Sequence, residues 1–120
     1  MASIIDKTLA KSLIKLYREQ NAAPGGPGLL APEGQFLNGF FIDRNSLDSI
    51  LANQDIVGIS IHFAKHPDFI DSDQNVFTIV FAGAEHNPDF KKGNGQPPYV
   101  SRYETWDQVE PCPPVCAGLI

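Results

Sequence analysis

Two dense runs of β-branched and aromatic residues constrain this chain more than any other feature. They are 57–66 (Val-Gly-Ile-Ser-Ile-His-Phe-Ala-Lys-His) and 76–86 (Val-Phe-Thr-Ile-Val-Phe-Ala-Gly-Ala-Glu-His). A polar connection carrying Pro, Asp, Ser and Asn, 67–75, separates them. Two such runs joined by such a loop predict an antiparallel strand pair. Side chains alternate across a strand, so Ile59, Ile61 and Phe63 share one face, with Ser60, His62 and Ala64 opposite. On the second run Phe77, Ile79 and Phe81 stand opposite Thr78, Val80 and Ala82. The second faces are small or weakly polar rather than charged, which is compatible with cover on both sides.

A chain of 120 residues is expected to form one domain, 1–120. At that size it hides roughly two-thirds of its unfolded surface and needs no metal or disulfide staple. Hydrophobic residues at 42% and charged residues at 19% are values of a folded domain, not of a disordered chain. The net charge of −5 argues against nucleic acid, whose binding depends on Lys and Arg neutralising phosphates. No apolar run approaches the ~20 residues of a membrane span, so no membrane partner is expected. Positions 1–21 are amphipathic and charged throughout, unlike a secretory signal peptide, and cytoplasmic is the expected location. Two cysteines do not make a disulfide framework.

The best helix is 3–20. Ser3 with Asp6 reads as a capping box, Ile5, Leu9, Leu13, Leu16 and Tyr17 form an apolar stripe, and Lys7, Lys11, Lys15 and Arg18 a solvated basic one. Three Pro and four Gly within 22–34 make 22–35 a loop, either connector or lid, without the signatures of a phosphate cradle. The second half of 35–42 reads as a short buried strand. A short helix follows at 45–53, with Asn45 as cap, Asp48 at the third helical position and Leu47, Ile50 and Leu51 facing inward. Asn-Pro-Asp and Gly-Asn-Gly turns mark 87–98 as a second loop. Tyr99, Val100, Tyr103 and Trp106 suggest a final strand or an aromatic strap, and 110–120 reads as an irregular tail. The expected fold class is α+β: a small, mostly antiparallel sheet around the 57–66/76–86 hairpin, with the N-terminal amphipathic helix and the short second helix packed on it.

Several of these segments carry a resemblance. Gly39-Phe-Phe-Ile-Asp-Arg, then Leu47, Ile50 and Leu51, Val57-Gly-Ile-Ser-Ile-His-Phe, Phe77-Thr-Ile-Val-Phe-Ala-Gly and Cys112-Pro-Pro-Val-Cys occur in that order. The run from about 36 to 116 resembles a group of small bacterial proteins of Bacteroidetes type with a Cys-Pro-Pro-x-Cys tail. The tail is the distinctive motif. The resemblance implies no activity and supplies no catalytic residues.

The residues able to carry chemistry are few. Cys112 and Cys116 are open to three readings: a local disulfide or inert thiols, half of a metal site, or a redox pair. An extended path would hold their α-carbons ~13 Å apart where a disulfide needs less than ~7 Å, so Pro113 and Pro114 must turn the chain, a cis bond being one route. Redox sites of the thioredoxin type place two residues between the cysteines, at a helix N-terminus, and neither feature is present. A metal site needs further ligands, for which the candidates beside Cys112 and Cys116 are His62 and His86. His62 and His66 share a strand face but lie ~13 Å apart on a regular strand. Asp71-Ser-Asp-Gln-Asn imitates the start of a calcium loop, yet Val76 stands where the turn needs Gly and Ala82 where a bidentate Glu belongs. No Ser sits on a Gly-flanked elbow, and Asp43, Glu85 and Asp89 are acid/base candidates only by lying near strand ends.

Three functions follow. The favoured one is a non-enzymatic binding or interaction domain without cofactor, with a homodimer among its assemblies, because Phe36, Phe90, Tyr99, Tyr103 and Trp106 fall in loop-like stretches and can form an exposed patch. The second is a metal- or redox-responsive protein using the tail. The third is a small-molecule enzyme with its pocket between the 22–35 and 87–98 loops.

Overall fold

The computed structural model describes residues 2–102, 104–107 and 109–119. Its contacts fall into two compact units, one made of Met1–Phe41, Lys65–Phe77 and Glu110–Ile120, the other of Ile42–Ala64 and Thr78–Val109. Helices and antiparallel sheets share the chain, so the fold is a small α+β one.

In the first unit the amphipathic stretch forms helix α1, Lys7–Ala22. It starts later than the sequence suggests. Asp6, expected inside the first turn, is itself the cap: its carboxylate accepts the N–H groups of Thr8 at 3.1 Å and Leu9 at 3.2 Å. A carboxylate is favoured there because it meets both the orphan amides and the positive end of the helix dipole. Ile5, Leu9, Leu13 and Leu16, the stripe expected to face inward, are each about half exposed.

Strand β1, Gly39–Phe41, pairs antiparallel with a strand from the tail, Glu110–Cys112, which becomes β6 in chain order, in the register Gly39↔Cys112, Phe40↔Pro111, Phe41↔Glu110. The 110–120 segment is therefore not wholly irregular. Pro111 lies within β6, which a two-stranded ladder allows because it has only edges, where a missing N–H is tolerated. β1 is also less covered than expected, with Phe41 exposed. The 22–35 loop is tied down within this unit. Leu30 bridges both Phe36 and Val76, its N–H reaches the Asn75 carbonyl at 2.7 Å, and the Asn75 amide donates to the Pro27 carbonyl at 3.1 Å.

In the second unit the short helix α2 spans Arg44–Leu51. Here the cap precedes the expected one: Asp43, not Asn45, accepts the Ser46 N–H at 3.1 Å. The hairpin consists of β2, Gly58–Lys65, and β3, Phe77–His86, whose far ends run into the first unit. β3 is central. It pairs with β2 on one side and on the other with two short strands, β4 (Tyr99–Val100) and β5 (Thr105–Trp106), in the registers Glu85↔Val100 and Phe81↔Trp106. Tyr103, expected between them, lies outside the described residues. From Thr78 to Ala84 every residue of β3 except the half-buried Val80 is buried, so both its faces are covered.

Gly83 shows how closely α2 sits against this strand. A Cβ there would lie 2.8 Å from Ile56 Cδ1 and 3.0 Å from Ile50 Cγ2. A branched side chain has no room, and Gly83→Val is expected to destabilise the fold by about 1–3 kcal/mol through overpacking. Urea midpoints of the two proteins check this; an unchanged midpoint means the helix yields freely.

Candidate functional site

The chemistry-bearing residues of the tail are joined to each other. Cys112, buried, and Cys116, exposed, form a disulfide with α-carbons 4.8 Å apart, and the Cys112–Pro113 and Pro113–Pro114 peptide bonds are cis. The turn is held by the Val115 N–H on the Pro111 carbonyl at 3.0 Å, and the Asn38 N–H reaches the Cys112 carbonyl at 2.7 Å. While the bond is closed neither sulfur is a thiolate, the form that ligates metal or attacks as a nucleophile. Among the described residues no group of three or more His, Cys, Asp or Glu is placed to hold a metal ion.

Each histidine has a local partner. His62 on β2 is exposed, with its Nε2 hydrogen-bonded to the Ser60 hydroxyl at 2.9 Å on the same strand face. His66 caps the single 3₁₀ turn Pro67–Phe69, where its Nδ1 accepts the Asp68 N–H at 3.1 Å, and its ring meets Phe69 edge-on at 5.5 Å. His86 lies over Tyr99, ring centres 5.4 Å apart.

Of the acid/base candidates, Glu85 and Asp43 are engaged through their carboxylates and Asp89 through its backbone. Glu85 is ion-paired with Arg102. Asp89 is held through its backbone, which donates to the Asn87 side chain at 3.0 Å and accepts from Asn94 at 3.1 Å. Asp43 caps α2, and hydrogen bonds from the Ser46 hydroxyl (2.6 Å) and then the Ser46 amide hold its carboxyl below the usual 3.8. A depressed folded pKa means the cap's contribution is present above the unfolded value and lost as pH falls through the folded one. Carboxyl NMR titration is expected to give Asp43 a midpoint below 3.8, with α2 amide shifts following it. A midpoint at or above that value means the cap is not made.

A cleft of about 100 Å³ lies within the second unit, lined by Ser49, Ile50, Asn53, Ile56, Gly83, Glu104 and Trp106. It is well short of the ~300 Å³ at which ordinary ligand pockets begin. The loops expected to enclose a pocket belong to different units, 22–35 to the first and 87–98 to the second.

Two buried asparagines, which the sequence reading passed over, organise those loops separately. Asn21 is 1% exposed and joins α1 to Leu29 and Leu37. Asn87 accepts from Asp89 and donates to the Pro97 carbonyl at 2.8 Å, while its own N–H reaches the Pro98 carbonyl at 3.0 Å, closing the 87–98 loop. The available signal was position: each asparagine stands where a regular element gives way to a Pro- and Gly-rich loop.

What the surface offers instead is uncovered apolar area. Phe63 on β2 is 87% exposed, with Ile61 at 53% and Val57 at 52%. Phe36, Phe90, Tyr99 and Trp106 are exposed as well.

No family model matches the chain, and neither does any curated protein or solved structure.

No helix among the described residues is long and apolar enough to cross a membrane.

Proposed function

We propose that this chain is a non-enzymatic interaction domain that works as a homodimer, in the bacterial cytoplasm. One observation carries the reading: large apolar side chains stand uncovered on a regular helix, α1, and on a regular strand, β2. Scattered apolar residues on a surface are ordinary, but rows of them on regular elements mark surfaces built for a partner. An exposed apolar strand is also a hazard that isolated proteins normally guard against. Tyr99 on β4 and Trp106 on β5 are exposed too, and Tyr and Trp present large contact area with little rotamer entropy to lose. Native mass spectrometry and light scattering over a dilution series test the reading. A dimer at high micromolar concentration that dissociates on dilution is expected; a monomer throughout overturns it.

A second reading concerns redox response at the tail. It is favoured by the position of Cys112, which is at once half of the disulfide and the residue opposite Gly39 in the β1–β6 ladder. A cytoplasmic dithiol transfers two electrons and two protons to the bond, leaving two Cys thiols and an oxidised dithiol. The tail is then free to turn elsewhere, which loosens the Asn38-to-Cys112 hydrogen bond. Hydrogen exchange at Asn38 should therefore accelerate on adding dithiothreitol. Equal protection in both states removes this reading.

A further inference from the structure

From Val57 to Ala64 the chain carries no charge and no proline, and β2, which covers most of it, pairs among the described residues on one side only, with β3. The other edge of β2 presents backbone N–H and C=O groups without a strand partner among the described residues. Natural edge strands are usually blunted by charge, proline or brevity. This one is eight residues long and carries the most exposed aromatic side chain among the described residues, Phe63.

We propose that this edge is where two copies meet, a step that rests on the homodimer reading above. Two β2 strands pair antiparallel about a two-fold axis through Ser60, so that the sheet continues from β3 and β2 of one copy into β2 and β3 of the next. Period two and charge choose the register. An axis between residues would set odd positions against even ones and mix the apolar face with the polar one. An axis through a residue keeps the faces matched. With the axis at Ser60, Ile59 stands opposite Ile61 of the second copy and Val57 opposite its Phe63, so the uncharged run 57–63 is matched with itself. Each of these pairs occurs twice, as an isologous interface requires. Moving the axis to Ile61 would set Lys65 against Val57, a charge against an apolar side chain. The occupant thus matches the strand apolar residue for apolar residue, with no charge buried, because it is the same strand.

The area agrees with a reversible contact. Val57, Ile61 and Phe63 offer on the order of 400 Å² of side-chain surface per copy, so roughly 800 Å² for the pair, the size of a weak interface rather than an obligate one.

Cysteine cross-linking tests the register. Ser60→Cys places two thiols across the axis, where facing α-carbons lie ~4.5–5.5 Å apart, within disulfide reach. His62→Cys faces position 58 instead, which leaves its copies ~13 Å apart along the strands and out of reach. At a concentration where the wild type is dimeric, mild oxidation should link Ser60→Cys at least ten-fold more than His62→Cys, with the native bond confirmed by peptide mapping. Phe63→Lys, at a site already exposed, should weaken dimerisation at least ten-fold with an unchanged circular dichroism spectrum. If the wild type dimerises but Ser60→Cys links no better than His62→Cys, or Phe63→Lys dimerises as well as wild type, another surface is used. The β2 proposal then falls and the homodimer reading stands. A wild type that is monomeric throughout sinks both.

Discussion

Phe81→Ala is expected to lower folding stability by about 3–5 kcal/mol, the largest effect of any single substitution considered. Phe81 is 2% exposed at the middle of β3, the strand that every other member of the sheet pairs with, and it stands directly opposite Trp106 of β5. Removing the ring loses its transfer free energy and leaves a cavity that a strand hydrogen-bonded on both sides cannot close by shifting. Against a total of about 5–15 kcal/mol for an ordinary domain, the loss is enough to bring the variant near half-unfolded at room temperature if the parent lies at the low end. Urea unfolding followed by circular dichroism checks the value. The single tryptophan of the chain, Trp106, gives a second probe because it faces the altered site. A loss below about 1.5 kcal/mol would mean that the ring is packed far more loosely than its burial implies.

Asn21→Ala comes next, at about 2–3 kcal/mol. The Asn21 side chain takes the Leu29 N–H at 2.7 Å and donates to the carbonyls of Leu29 at 3.0 Å and Leu37 at 3.3 Å. These three bonds are not equal in consequence. The Leu29 carbonyl keeps the Leu37 N–H at 2.8 Å, and the Leu37 carbonyl keeps the Tyr17 hydroxyl at 2.8 Å. Only the Leu29 N–H loses its partner, a half-buried donor, and stranding it costs about 1–3 kcal/mol. The same reasoning predicts strong coupling. Tyr17→Phe alone should cost about 1 kcal/mol, since Asn21 still serves Leu37. With both changes the Leu37 carbonyl is stranded too, and the double variant should fall about 1 kcal/mol or more below the sum of the singles. Additive losses would show that the two side chains do not share that carbonyl. Burial raises the Tyr17 pKa above its usual 10.0, so the phenol stays a donor throughout the neutral and mildly basic range. A raised folded pKa means this contribution is full below the unfolded value and lost as pH climbs through the folded one.

Much of the local structure could be read from residue order alone. Alternating β-branched and aromatic residues marked β2 and β3 to within a residue at their ends, because period two is a property of the strand itself. Both helices were legible from their stripes, yet both begin at an aspartate upstream or downstream of the expected cap, Asp6 for Ser3 and Asp43 for Asn45. Several oxygen-bearing side chains lay within reach of each helix start, and which one captures the free amides depends on where the incoming chain lies.

The remainder needed tertiary structure. By itself the sequence determined where the two helices, the long hairpin strands and the main loops fall, and that apolar stripes exist. It did not say that the α1 stripe stays half exposed, since amphipathic periodicity records a face but not whether the same chain covers it. Nor did it show that the tail forms a strand on β1, or that Asn21 ties α1 to Leu29 and Leu37. Helical and strand periodicity arise between neighbours a few residues apart. The pairing of Gly39 with Cys112, and the meeting of Tyr17 and Asn21 on one carbonyl, depend on which distant groups the folded backbone leaves without partners, and no local pattern encodes that.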